Sequence, residues 1–408
     1  MSDRKPSPKV SLSREVGFWL LFFYGLGNIL GAGIYVLVGK VAGHAGYFTL
    51  ISFFIAGLVA SFTAFSYAEL SSRFPVAAGV AVYLHEGFGK AWLSIIAGLA
   101  IAMAGMLSAA TIVKGFAGYA QVFLTLPSEL LIGIILTLLV LIAIWGVAES
   151  VMTAAFLTLL EIIGLLIIIN LGTQHLYKMP EIISSLPSIT EGEIWPGIVM
   201  GAFLAFYAFL GFEDMVNIAE ETKQPEKNMP RAIIFALLIS TILYALVAIS
   251  AMLIMSPEQL AASDAPLADV FQAATGNAPM LITAISLSAV INGALIQIIM
   301  ATRIFYGMSN RDWLPGIFSY IHPKTQTPIF ATIVVGLIIF ILTTKFPLIT
   351  LATYTSFLIL IVFMLVNLAL LRIKKRPAQE KARIYPVWVP VCGATGSLLL
   401  LIGKIVFS

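Results

Sequence analysis

The sequence predicts an all-α polytopic membrane protein: two five-helix halves that enter the bilayer from opposite sides, then one further helix. Three observations predict it. The chain has 408 residues, of which 60% are hydrophobic and 11% charged, whereas a soluble domain carries about 25% charged residues. Its apolar residues gather into eleven runs of about 20 residues, the length that crosses a bilayer as a helix. The first and sixth runs are interrupted alike, each at the start of a set of five.

In chain order the expected spans are 15–38, 47–71, 90–120, 129–146, 150–172, 197–219, 231–255, 279–306, 328–344, 347–371 and 386–407. Residues 1–14 form a polar, basic tail, 15–172 and 197–371 the two halves, 372–385 a basic loop, and 386–408 the additional helix. No short apolar segment with a small-residue cleavage site precedes span 1, so no removable leader is expected. Lysine and arginine orient the chain. With the N-terminus inside, eighteen of them fall in cytoplasmic segments, against Lys40, Lys178, Lys345, Lys404 and the span 3 residue Lys114 outside. The expectation is a multi-pass protein of the cell (plasma or inner) membrane with a cytoplasmic N-terminus. The long connections 172–196 and 256–278 are external loops with short amphipathic turns. Segment 310–328 either lies along the cytoplasmic interface or is a linker, and the string Arg372 to Arg383 is a solvated loop beside anionic lipid.

Span 1 contains Gly25-Leu26-Gly27-Asn28-Ile29-Leu30-Gly31-Ala32-Gly33-Ile34-Tyr35. Each glycine costs a helix interior about 1 kcal/mol relative to alanine, so Gly31-Ala32-Gly33 reads as a break. Close helix packing is the other use of such glycines. Unwound backbone survives at membrane depth only where it lines a cavity or binds something. A half-helix starting near Gly33 aims N–H groups and a positive dipole end at an anion, and the half before it ends in carbonyls suited to a cation. One stretch can thus hold both ends of a zwitterion. Span 6 repeats the interruption at Phe206-Tyr207-Ala208-Phe209-Leu210-Gly211-Phe212, followed by Glu213-Asp214. Five crossings are odd in number, so the second half enters from the opposite side. Paired interrupted helices in matching positions are the strongest sequence pointer to a transporter site.

Other function classes lack their residues. There is no G-x-x-x-x-G-K-[ST] phosphate loop, and Cys392 is the only cysteine. His44, His85, His175 and His322 have no metal-ligand spacing, and no nucleophile–base pair falls at a shared depth. No enzyme, no cofactor, no metal and no nucleic-acid partner is expected. The expected partners are a small-molecule substrate and membrane lipid.

The break at Gly31 to Ile34, the segment Tyr67-Ala68-Glu69-Leu70-Ser71-Ser72-Arg73-Phe74-Pro75, the stretch Phe206 to Phe212 with Ala219-Glu220-Glu221-Thr222-Lys223-Gln224-Pro225 and Asn228-Met229-Pro230-Arg231, and Ala301-Thr302-Arg303 with Arg311-Asp312-Trp313-Leu314-Pro315 and Thr327-Pro328 occur in one order. Together they resemble the amino acid–polyamine–organocation superfamily. The resemblance implies a LeuT-like 5+5 inverted repeat with discontinuous helices 1 and 6. It also implies alternating-access transport of an amino acid or related amine. The family usually has twelve spans, of which eleven are expected in this sequence. The substrate carboxylate is then expected at the amides of Gly31, Ala32 and Gly33, and its amino group at the carbonyls of Ile29, Tyr207, Ala208 and Leu210. Ala32 stands where relatives often carry Ser or Thr, which leaves the carboxylate to the backbone. Tyr207 or Phe206 is the expected gate, with simple packing as the alternative.

Charges at membrane depth are expensive and usually functional. Glu161 stands mid-span where many relatives have a lysine in place of a sodium ion. Burial favours the protonated form of a carboxyl group, so Glu161 is expected to couple transport to protons, with Gly27, Ser288 and Asn292 as neighbours. Sodium binding, recognition of a cationic substrate side chain, and a permanently protonated structural role are the alternatives. Glu69 and Arg73 have the i,i+4 spacing of a local pair. Glu213 and Asp214 either pair with a base or are solvated. Glu220 and Glu221 are set to pair with Arg231 or Arg303, and Lys114 either snorkels or binds substrate. The expected function is secondary active amino acid transport by proton-coupled symport. The alternatives are exchange of cationic amino acids or polyamines, and a sensor that binds without carrying.

Overall fold

The computed structural model describes residues 16–407 apart from 77–78, 146–149, 189–191, 324, 326 and 378–381. The expected tail 1–14 lies outside the described residues, as do the side chains of Ala32 and Glu220. The first half comprises α1 (Phe18–Ala45), α2 (Thr49–Arg73), the short α3 (Gly79–Phe88), α4 (Ala91–Ala120), α5 (Ser128–Trp145) and α6 (Ser150–Thr173). After α7 (Met179–Ser185) the second half runs through α8 (Trp195–Phe206), two 3-10 segments (Tyr207–Phe209 and Asp214–Glu221), α9 (Pro225–Ile254), α10 (Pro257–Ala262), α11 (Pro266–Thr275), α12 (Met280–Ser309), α13 (Ile329–Lys345) and α14 (Leu348–Ile373). The chain closes with α15 (Trp388–Val406).

Each expected span contains one of these helices. Among the described residues nine helical stretches are long and apolar enough to cross a membrane; the first covers both α1 and α2, and α13 is a shorter apolar helix. The two halves share one order: a broken helix, a long helix, a short lid (α3, or α10 with α11), then three helices. Helices α1, α2, α8 and α9 pack on one another, and α4 lies along α12 with α5 and α13 beside them.

Helix starts follow local chemistry. Proline occupies the first turn of α7, α8, α9, α10 and α11, where its missing N–H costs nothing. Ser256 and Gln259 form a capping box on α10, and the connections 172–196 and 256–278 both hold short helices. Leu130, Ile134, Leu138 and Leu141 line an exposed face of α5 while Leu131, Ile135 and Leu139 are buried. Such a face suits lipid, not water.

Polar groups pin the helix ends. Lys114 donates to the carbonyls of Thr343 and Phe346 at 2.9 Å, capping the end of α13 where the helix dipole favours a cation. At the same end of the bundle, Lys40 donates to Ala261 O and Ser263 O at 2.8 and 2.9 Å, tying α1 to the α10–α11 lid. At the N-terminal end of α1, Val16 pairs strand-like with the segment after Asp214–Glu221, through Val16 N to Glu221 O (3.0 Å) and Lys223 N to Val16 O (2.8 Å).

Glu69 does pair with Arg73, at 2.7 Å; in the string Arg372 to Arg383, Arg372, Lys375, Arg376 and Arg383 are exposed as expected, and Lys374 is the described basic residue that turns inward. The Lys374 side chain is 8% exposed and reaches Glu69 at 2.5 Å, the Tyr385 amide donates to the same carboxylate at 2.9 Å, and Arg372 lies over the Phe88 ring. A buried carboxylate demands partners, and two cations plus an amide supply them. Higher up, Asn367 of α14 bonds Ser66 and Thr63 of α2, with Gly393 of α15 against its amide.

Candidate functional site

Both expected interruptions are present. Within α1, Gly31 leaves helical geometry (φ 3°, ψ −135°). In the second half α8 stops at Phe206, Leu210 is extended, and Gly211 has φ 122°, a conformation that excludes a side chain.

The two breaks touch. A Cβ on Gly33 would lie 2.6 Å from Ala208 Cα, and one on Gly211 would lie 2.7 Å from the Asn28 carbonyl carbon. Gly31, by contrast, has open space beside its Cα. Gly33 therefore meets Ala208, and Asn28 with the Ile29 amide meets Gly211, across one seam. Tyr244 of α9 crosses it: its hydroxyl lies 2.6 Å from Ile29 O and 2.8 Å from Ala208 O. One hydroxyl has one proton, so it satisfies these carbonyls one at a time.

The two gate candidates separate. Tyr207 extends to α4, where its hydroxyl lies 2.9 Å from Ser108 Oγ. Phe206 packs edge-to-face on Phe363 of α14, in a cluster with Phe212 and Tyr67.

On the α6 side, Gly27 abuts Thr158, whose hydroxyl donates to Phe23 O at 3.0 Å. Glu161 lies one turn further on α6 and is wholly buried. Neither of its carboxyl oxygens has a hydrogen-bond partner among the described residues, and the Asn292 side-chain amide nitrogen also lacks one. Asn292 is close enough to act on the carboxyl group, while the Ser288 hydroxyl turns to Ala284 O of its own helix. Tyr35 donates to the Glu161 backbone carbonyl at 2.7 Å. Orphaned polar atoms in a membrane interior are costly unless something binds them. A neutral carboxylic acid is the least costly form of such a group, and the arrangement suits a proton better than a bare anion.

Toward the N-terminal end of α1, Asp214 accepts from Asn28 Nδ2 at 3.1 Å and Gln297 Nε2 at 3.0 Å, while Asn28 also donates to Gly211 O. Glu213 accepts from Gly211 N at 2.8 Å. Both acids are buried. Neither forms an ion pair among the described residues, so the expected pairing with a base is corrected: amides hold them, and both line the cavity on this side of the breaks. Glu221 makes no ion pair with Arg231 or Arg303 among the described residues. Asn28, Tyr244 and Gln297 are the site residues that sequence reasoning missed. Asn28 sat inside the glycine stretch, and Gln297 was one of few amides in span 8. Among the described residues no group of His, Cys, Asp or Glu gathers to hold a metal ion.

Comparison with known proteins follows this geometry. A family model described as amino acid permease matches residues 16–407. The chain is 31% identical to the branched-chain amino acid permease BcaP of Bacillus subtilis, over 91% of this chain and 83% of that protein. It is 29% identical to the methylthioribose transporter of the same organism, over 94% and 86%. It is 30% identical to the vacuolar cationic amino acid transporter 4 of Arabidopsis thaliana, over 80% of this chain and 58% of that protein. Among solved structures, a Na+-coupled sialic acid symporter in an outward-open state matches with a TM-score of 0.66 at 14% identity, over 97% of this chain and 90% of that one. MhsT in complex with L-phenylalanine matches at 0.64 and 15%, over 97% and 100%. At these identities the two structures speak for the fold alone, which is the LeuT-like fold expected from the resemblance.

Proposed function

Since this chain belongs to the amino acid permease family, we propose that it is a secondary carrier that moves an amino acid through the membrane by alternating access, coupled to protons. The observation that carries the reading is the contact of the two broken helices at Gly33–Ala208 and Gly211–Asn28. Free backbone dipoles of opposite sense meet there, as recognition of a zwitterion requires. The substrate carboxylate is bound by the amides of Gly31, Ala32 and Gly33. Its ammonium group goes to the carbonyls of Ile29, Tyr207, Ala208 and Leu210, where it takes over from the Tyr244 hydroxyl. Tyr207, anchored on Ser108, closes the site, with Phe206 as its packing support.

Glu161 is the coupling group in this reading. It accepts a proton from the side expected to be external and gives it up on the cytoplasmic side, with Gly27 and Asn292 forming its wall and Ser288 near its edge. The carrier is a multi-pass protein of the cell membrane, surrounded by lipid, with its N-terminus in the cytoplasm. It needs no cofactor beyond the coupling ion, and Na+ is the competing ion at the same carboxylate.

The test is uptake by purified protein in liposomes across an amino acid panel that includes L-leucine and L-arginine, with and without an inward proton gradient. Gradient-stimulated uptake supports the proposal. Counterflow indifferent to pH makes the protein an exchanger of cationic amino acids or polyamines. Ligand-induced stabilisation without flux makes it a sensor.

A further inference from the structure

A cavity of about 390 Å³ lies on the α1 N-terminal side of the breaks, bounded by α3, α4, α12 and the segment Asp214–Glu221. That size suits a small ligand. Its apolar wall includes Ile101, Met300 and Trp313, and its charged lining is mixed: Glu213, Asp214 and Glu221 come from the stretch after the second break, Arg303 from α12 and Arg311 from just past the end of α12. Glu213 is 7% exposed and spends one oxygen on Gly211 N, while its other oxygen makes no hydrogen bond among the described residues. Arg303 likewise makes no ion pair or hydrogen bond among them. It follows Gln297, the partner of Asp214, by six residues, a rise of about 9 Å along α12. Long side chains on a helix lean back toward its N-terminus, which brings the guanidinium toward the acids.

An underused buried acid calls for a cation, and an unpaired guanidinium calls for a carboxylate. One ligand class supplies both beside an apolar wall: an α-amino acid. We propose that this cavity is a second binding place for the carried amino acid on its release side. The ammonium group meets Glu213, the carboxylate meets Arg303, and the side chain rests on Ile101, Met300 and Trp313. The proposal builds on the carrier reading above. Mechanistically, a holding place here lets the central seam close before the substrate leaves.

Trp313 is the built-in reporter. The other tryptophans, Trp19, Trp92, Trp145, Trp195 and Trp388, are all exposed, so replacing them with Phe leaves Trp313 as the sole emitter. L-leucine is titrated against this protein in detergent, or L-arginine if the liposome panel shows that it is the one carried. The expected result is a saturable change in Trp313 emission. Arg303→Gln should raise the half-saturation concentration about tenfold, as loss of a charge-assisted hydrogen bond requires, and Arg303→Lys should restore most of it. Gly33→Ala, which targets the central seam, should abolish flux and keep the Trp313 response.

An unchanged half-saturation in Arg303→Gln overturns the second site, and so does loss of the response in folded Gly33→Ala. Arg303 is exposed, so its variants test the idea even if Gly33→Ala does not fold. Flux without any Trp313 response defeats the second site alone, whereas absence of flux for every amino acid defeats the carrier reading.

Discussion

Replacing Gly33 with alanine tests the seam most directly. The added methyl would stand 2.6 Å from Ala208 Cα and 2.9 Å from Ala208 Cβ, whereas carbon atoms in favourable contact are about 3.5–4.0 Å apart. Neither neighbour is the tip of a flexible side chain. Relief therefore requires the two broken helices to separate by about 1 Å, the shortfall against that contact range. Overpacking of this kind costs about 1–3 kcal/mol in stability, which leaves most of the protein folded. The effect on function is larger, because a misplacement of about 1 Å in a site built on positioning costs about a hundredfold. The matched control is Gly133→Ala on α5, where a Cβ meets nothing within 4 Å and helix propensity improves by about 1 kcal/mol. Initial uptake rates in liposomes and thermal melts in detergent are measured for both variants. The expected outcome is near-complete loss of uptake with a modest fall in melting temperature for Gly33→Ala, and no loss for Gly133→Ala. Normal uptake by Gly33→Ala would refute the view that substrate is held between the two breaks.

Three further outcomes are expected. Glu161→Gln should abolish stimulation by an inward proton gradient and flatten the dependence of uptake on external pH: wild-type uptake falls as external pH rises, because fewer carriers load a proton, and the variant no longer follows. Retained stimulation would move the coupling site elsewhere. Tyr244→Phe removes the donor shared by Ile29 O and Ala208 O. It should destabilise the substrate-free protein by about 1–3 kcal/mol and leave the substrate-saturated protein closer to wild type, a difference visible as a larger ligand-induced rise in melting temperature. Lys374→Met leaves Glu69 with Arg73 and the Tyr385 amide, whereas Glu69→Gln strands two buried cations. Melts should therefore rank Glu69→Gln below Lys374→Met, with the former losing about 3–5 kcal/mol.

The sequence by itself determined the helical spans and both breaks. Hydropathy over a membrane-length window reports burial away from water whatever the neighbours are, and a glycine cluster in such a window has few structural uses. The i,i+4 pair Glu69–Arg73 was legible for a similar reason, since both residues ride on one helix. What remained for the tertiary structure was the direction each polar side chain takes. A membrane helix is apolar on every side, so periodicity does not say that Tyr244 points to two carbonyls on other helices, that Gln297 and Asn28 converge on Asp214, or that Lys374 crosses the fold to Glu69. These contacts join residues far apart in the chain. They form because a buried polar group must find a partner, and only packing decides which partner is within reach.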